Sequence, residues 1–137
     1  MLNEQISERM HELGKRIGLE TNSNLYPMVA KSNNIFSDGA SIYEDNGNYH
    51  YVCMERGNEN KHFVEPNIKE ILYYVFNDIT FLLAIKYELE HRKGKEDSRK
   101  ILFKKQLELL GMIDKKYQGM REKIIAEVLE KAPYQDL

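Results

Sequence analysis

The sequence contains no tryptophan, one cysteine (Cys53) and three prolines among 137 residues. A lone cysteine excludes an intrachain disulfide and points to a reducing compartment. Charge of one sign is missing too: 20 Lys and Arg face 22 Asp and Glu, for a formal net charge of −2. That balance lacks the broad positive field of a nucleic-acid binder, so phosphate binding is disfavoured as the main activity. No glycine-rich phosphate loop occurs, and no apolar run reaches the ~18 residues of a membrane span. The opening MLNEQISERM has neither a basic leader nor an apolar h-region, from which a cytoplasmic location is expected. The length fits one domain over residues 1–137, large enough to bury about two-thirds of its unfolded surface without staples.

What is present is chiefly helical. The stretch from Ile71 to Arg92 begins with some fifteen residues that are apolar nearly all round a helix, with the carboxylate of Asp78 among them. Such a helix is expected to be buried, and Asp78 with it. At 3.6 residues per turn Ile71, Tyr74, Val75, Leu82 and Ile85 share the side of Asp78, while Leu72, Phe76, Ile79 and Leu83 line the adjacent one. Its expected limits are Asn67 and Lys93, with Pro66 before it and Gly94 after it. At the start of the chain Leu2, Ile6, Met10, Leu13 and Ile17 predict an amphipathic helix over residues 2–17, ended by Gly18 in a left-handed cap. Leu25 to Ala30 reads as a short strand that Pro27 confines to an edge or a strand's beginning, followed by a loop from Lys31 to Gly39.

Asn46-Gly47 between Ser41–Asp45 and Asn48–Glu55 predicts a two-residue type I′ hairpin, because both positions tolerate positive φ. Arg56-Gly57-Asn58-Glu59 makes a second reversal into a third strand, Lys61 to Glu65. Glu96-Asp97-Ser98 starts a further helix with Leu102, Phe103, Leu109, Leu110 and Ile113 on its apolar face. Tyr117, Met120, Ile124, Ile125, Val128 and Leu129 mark the last helix, closed before Pro133. The fold class is α+β: an N-terminal helix, a small antiparallel β-meander, then three helices including a long buried one.

Three histidines follow a glutamate by three residues: Glu8/His11, Glu59/His62 and Glu88/His91. On helices this spacing suits a carboxylate-bridged di-metal bundle, and a metal-dependent enzyme using Glu8, His11, Glu88 and His91 is the enzymatic rival. On a strand, where His62 falls, it points the two side chains to opposite faces, and solvated side chains are the preferred reading. Arg56 and His62 stand at a spacing superficially like the R-x4-6-H motif of helical HEPN ribonucleases, but they span a turn rather than a helix, and coincidence is the better reading. Cys53, with no base beside it, reads as a small core residue. Glu88, His91, Arg92, Asp97 and Arg99 form a polar cluster in which two helices joined across Gly94 run antiparallel and bring Arg99 within about a turn of Glu88. Arg99, on the side of Leu102, Phe103 and Gln106, is expected to face inward and to need a carboxylate. Asp78, Glu88, Arg92, Asp97 and Arg99 are accordingly taken as a structural set. No catalytic residue, metal or cofactor is assigned.

Tyr51-Val52-x-x-Glu55-Arg56-Gly57 followed by Ile71-Leu72-Tyr73-Tyr74-Val75-Phe76-x-Asp78-Ile79-Thr80 resembles the Imm63 family of bacterial immunity proteins. Tyr87-Glu88-x-x-x-Arg92, Asp97-x-Arg99-x-x-Leu102-Phe103-x-x-Gln106-x-x-Leu109-Leu110 and Pro133-Tyr134 are similar to that family in order and spacing, over roughly residues 40 to 137. Tyr74 and Tyr117 stand in for tryptophans that the resemblance implies. It further implies a cytoplasmic, non-enzymatic protein that binds and neutralises a cognate toxin domain of a polymorphic or contact-dependent system by occlusion, with no nucleic-acid or membrane partner. The surface expected to meet the toxin is the two hairpin loops with an exposed tyrosine: Glu44, Asp45, Tyr49, Tyr51, Glu55, Arg56 and Glu59. A regulatory or scaffold module that binds another protein is the bland rival.

Overall fold

The computed structural model describes residues 2–31, 33 and 37–136, without the side chain of Leu2. Most of the expected loop from Lys31 to Gly39, and the Leu2 end of the first apolar stripe, therefore lie outside the described residues. The elements in order are α1 (Leu2–Lys15), β1 (Met28–Val29), β2 (Gly39–Asp45), β3 (Asn48–Glu55), β4 (Asn58–Glu65), α2 (Ile68–Glu90), α3 (Ser98–Ile113) and α4 (Lys115–Lys131). This is the α+β order expected from the sequence. The chain forms two compact units, Met1–Phe76 and Asn77–Leu137, with α2 running from the first into the second.

In the first unit α1 buries Ile6, Met10 and Leu13, the stripe its spacing dictates. It stops at Lys15, two residues short of the expectation, because Gly18 at φ 81° lets the chain turn back. The amide of Gly18 then donates to the Lys15 carbonyl and that of Leu19 to the Gly14 carbonyl, the paired bonds of a Schellman cap. Gly14 inside this helix is buried against the Tyr26 phenol, where any β-carbon would collide with the ring.

The sheet has the order β1-β2-β3-β4. β2, β3 and β4 form the antiparallel meander, while β1, immediately after Pro27, pairs in parallel with β2 at the edge. Both hairpins turn on two residues with positive φ, Asn46 at 52° and Gly47 at 81°, then Arg56 at 52° and Gly57 at 78°. These are the backbone angles of type I′ turns, whose twist matches that of the strands. β4 starts at Asn58, three residues earlier than expected, since the second turn is tight and the ladder resumes at Glu55↔Asn58. Between Cys53↔Lys61 and Met54↔Glu59 the register shifts, so Asn60 is an extra residue on β4. On one face the stacked rings of Phe63 and Tyr74, 4.0 Å apart and nearly parallel, bring the first turns of α2 onto the sheet. The Tyr74 hydroxyl donates to Glu65 at 2.9 Å.

The Asn67 side chain caps α2 by accepting from the Glu70 amide at 2.9 Å. Ile71, Leu72, Val75 and Phe76 are fully buried, as the apolar run requires. Burial does not extend all round: Leu82 and Leu89 are 54% and 61% exposed, and Asp78 is half-buried. The helix ends at Glu90, before the Lys93 limit inferred from Gly94, as the charged run after Leu89 has no apolar face to hold it in place.

In the second unit Asp97 caps α3, and Asp114 both ends α3 and caps α4, accepting from the Lys116 amide at 2.7 Å. The buried face of α3 is Phe103, Gln106, Leu109, Leu110 and Ile113, so Gln106 joins the expected set while Leu102 is only half-buried. Tyr117 and Ile125 are buried on α4, but Met120, Ile124 and Val128, expected on the apolar face, are more than a third exposed.

Candidate interaction surface

The two turns carry the residues expected at an interface. Glu55, Arg56 and Glu59 are exposed, and Glu44, Asp45 and Tyr49 are half-buried. Tyr51 is not available to a partner: it is 3% exposed and faces Phe63 on the α2 side of the sheet. Alternation along β3 put Tyr49 and Tyr51 on one face but did not show that α2 would cover the centre of that face more than its end. The Glu44 carboxylate accepts from the Gly47 amide at 3.3 Å, and Glu55 accepts from the Asn60 side chain at 3.3 Å. Each of these acids therefore stiffens the loop that presents it.

A second feature of this sheet escaped sequence reasoning. Spacing on a strand should separate Glu59 from His62, yet the two side chains are hydrogen-bonded through His62 Nδ1. The extra residue Asn60 resets the alternation and returns both to one face. His62 Nε2 in turn lies 2.8 Å from His50 Nδ1. With ring centroids 5.1 Å apart, the two nitrogens point at one another, which is the geometry of a shared proton rather than of two lone pairs converging on a metal. His50 stacks flat on Tyr43, which is 4% exposed. Burial and the neighbouring His62 hold the His50 pKa below its usual value, opposed by Asp45 and Glu44. The register of β-pairing was the missing signal; a bulge can be read from it and not from composition.

The polar set near the end of α2 resolves into two pairs. Arg92 binds Glu88 through both Nε and Nη2 at 2.9 Å, and these bonds hold the Glu88 carboxyl below its usual range although burial acts against them. Arg99, expected to face inward, has a side chain that is only half-buried; its carboxylate partner is Asp97, and Glu88 is bound by Arg92 instead. The remaining donors of Arg99 go to the carbonyls of Ala132 at 2.8 Å and Pro133 at 2.9 Å. Asp97 also accepts from the Gln135 amide at 2.8 Å, while Asp136 accepts from the Asp97 amide and from Lys100. Residues 132–136 are thereby strapped to the start of α3. Arg92, Asp97 and Arg99 line one cleft of about 380 Å³. Asp78 stands ten residues before Glu88 on the same helix, about 15 Å away along its axis.

Gln106, fully buried, is the polar centre of the second unit. Its amide donates to the Asn77 carbonyl at 3.0 Å and to the Thr80 hydroxyl at 3.3 Å, and its carbonyl accepts from Arg121 Nε at 3.0 Å. Of the metal-binding candidates, His11 packs edge-on to Tyr26, His91 stacks on Tyr87, and Glu88 is committed to Arg92. Among the described residues no group of three or more His, Cys, Asp or Glu side chains is placed to hold a metal ion. Nor, among them, is any helix long and apolar enough to cross a membrane.

The family model of Immunity protein 63, Imm63, matches residues 45–127. The chain belongs to that family. The matched span of this Imm63 chain opens at the first hairpin turn and closes within α4, so it takes in β3, β4, α2, α3 and the Glu88–Arg92 and Asp97–Arg99 pairs, and leaves out α1 and the C-terminal strap. No curated protein and no solved structure matches the chain.

Proposed function

We propose that this Imm63 chain protects the cell that makes it by binding a cognate toxin domain and occluding it, without catalysis of its own and in the cytoplasm. Membership of an immunity-protein family across residues 45–127 carries the reading. Its chemistry is compatible: the polar residues that converge are engaged in capping, ion pairing and strapping the chain's own backbone. Occlusion requires only a firm scaffold with a complementary surface. The hairpin ends supply one, with Glu44, Asp45, Tyr49, Glu55, Arg56 and Glu59 on loops that their own hydrogen bonds stiffen. The decisive experiment is co-expression with the toxin domain encoded next to it. Survival of the cells together with a co-purifying complex is the expected result; undiminished killing in the presence of the folded protein rejects the role.

A further inference from the structure

Charge is unevenly distributed along this nearly neutral chain. Residues 38–65 carry six carboxylates, Asp38, Glu44, Asp45, Glu55, Glu59 and Glu65, against only Arg56 and Lys61, which leaves the remainder of the chain net positive. Register places Asp45, His50, Glu59 and His62 on one face of the sheet, with Tyr43 beneath His50 and the 48%-exposed Val64 on the outer strand beside them. We propose that this face is the docking surface for a basic region of the partner protein, and that it holds the partner while the two imidazoles share a proton and releases it when both are charged.

The proposal rests on the immunity reading and adds to it the chemistry and the control of the contact. Two imidazoles joined by one hydrogen bond carry at most one positive charge, because one of the facing nitrogens must keep its lone pair. A second proton sets N–H against N–H. On its own face the pair meets Tyr43 and Asp45 from β2 and Glu59 from β4, and Glu44 acts on His50 from the other face of β2. Glu59 fixes the proton on His62 Nδ1, so the contested site is the His62 Nε2 to His50 Nδ1 link. Acidification thus breaks the link and places up to two positive charges inside the acidic patch, and that charge repels a basic partner.

The test is calorimetric titration of the full chain with an inactivated form of the toxin domain encoded beside it, at pH 7.5, 6.5 and 5.5, for the wild type and for His50→Gln and His62→Gln. Affinity of the wild type should fall about tenfold or more between pH 7.5 and 5.5, and both variants should lose most of that dependence. Tight binding that ignores pH overturns the proton gate and leaves the immunity role standing. Absence of binding at every pH rejects that role and this proposal together. Should the variants misfold, imidazole NMR of the wild type decides: coupled titration of His50 and His62 is expected, and independent titration of the two rings overturns the proposal.

Discussion

Arg99 commits its guanidinium to the chain's own C-terminal residues, and that makes its removal a test of the strap rather than of a core contact. Arg99→Ala deletes both bonds to Asp97 and both bonds to the Ala132 and Pro133 carbonyls. Amide exchange at Tyr134 to Asp136 should accelerate by about an order of magnitude or more, and the melting temperature should drop by a few degrees. Arg99→Lys should not restore protection, since an ammonium lacks the planar fork that grips carboxylate and carbonyls together. Unchanged exchange would mean the strap holds without it. The Arg99 side chain, followed by the amides of Gln135 and Arg99, holds the Asp97 carboxyl well below the usual carboxylate range. A depressed folded pKa means stability that is present above the unfolded value and lost as pH falls below it. Order in residues 132–136 should therefore persist to about pH 4 and decay below it in the wild type, while Asp97→Asn shows weakened protection already at neutral pH.

At the scale of elements, the two hairpin turns have the same shape and unequal chemistry. Asn46 accepts a left-handed backbone readily, whereas Arg56 at φ 52° bears a β-carbon strain that a branched or long side chain does not relieve. Arg56→Asn should raise the urea midpoint by the equivalent of about 0.5–1 kcal/mol with an unchanged slope. A midpoint that falls would show that the arginine makes up for the strain by contacts of its own. Asn46-Gly47 was legible because the dipeptide names its turn type; the second turn was legible as a reversal and the strand after it from Lys61 onward, but its first three residues were not, because the bulge at Asn60 breaks the alternation from which strands are read. Helices were legible where spacing and capping agreed, as at Asn67 and Asp97, and were overread where apolarity alone spoke: Leu82 sits in an apolar run and is more than half exposed. Gln106 shows the converse, a polar residue at core spacing that is buried because Asn77, Thr80 and Arg121 meet it. Gln106→Leu is close in size and removes all four side-chain bonds to these three residues, so it should destabilise by about 2–3 kcal/mol in equilibrium unfolding. A smaller loss would mean that water replaces the amide.

Across the whole molecule, a net charge of −2 conceals a segregation by sequence that a summed composition cannot show. Summed charge excluded a broad positive field and was silent on a local negative one, which residues 38–65 supply while the rest of the chain offsets it. The strap could not be read either, because the bonds from Arg99 to Ala132 and Pro133 join residues more than thirty positions apart that no local pattern connects. If the acidic strands meet a basic toxin surface, the field should act first on the rate of encounter. Reversing Glu44, Asp45, Glu55 and Glu59 to lysine should slow association with the toxin domain by about 10–100-fold at low salt. Near 0.3 M salt the Debye length shrinks to roughly 6 Å, so most of that difference should vanish while any lost direct contacts persist in the dissociation rate. Stopped-flow association across that salt range separates the two contributions. An association rate unaltered by the four reversals, in a variant with native circular dichroism, would move the toxin contact off the hairpins and onto another part of the chain.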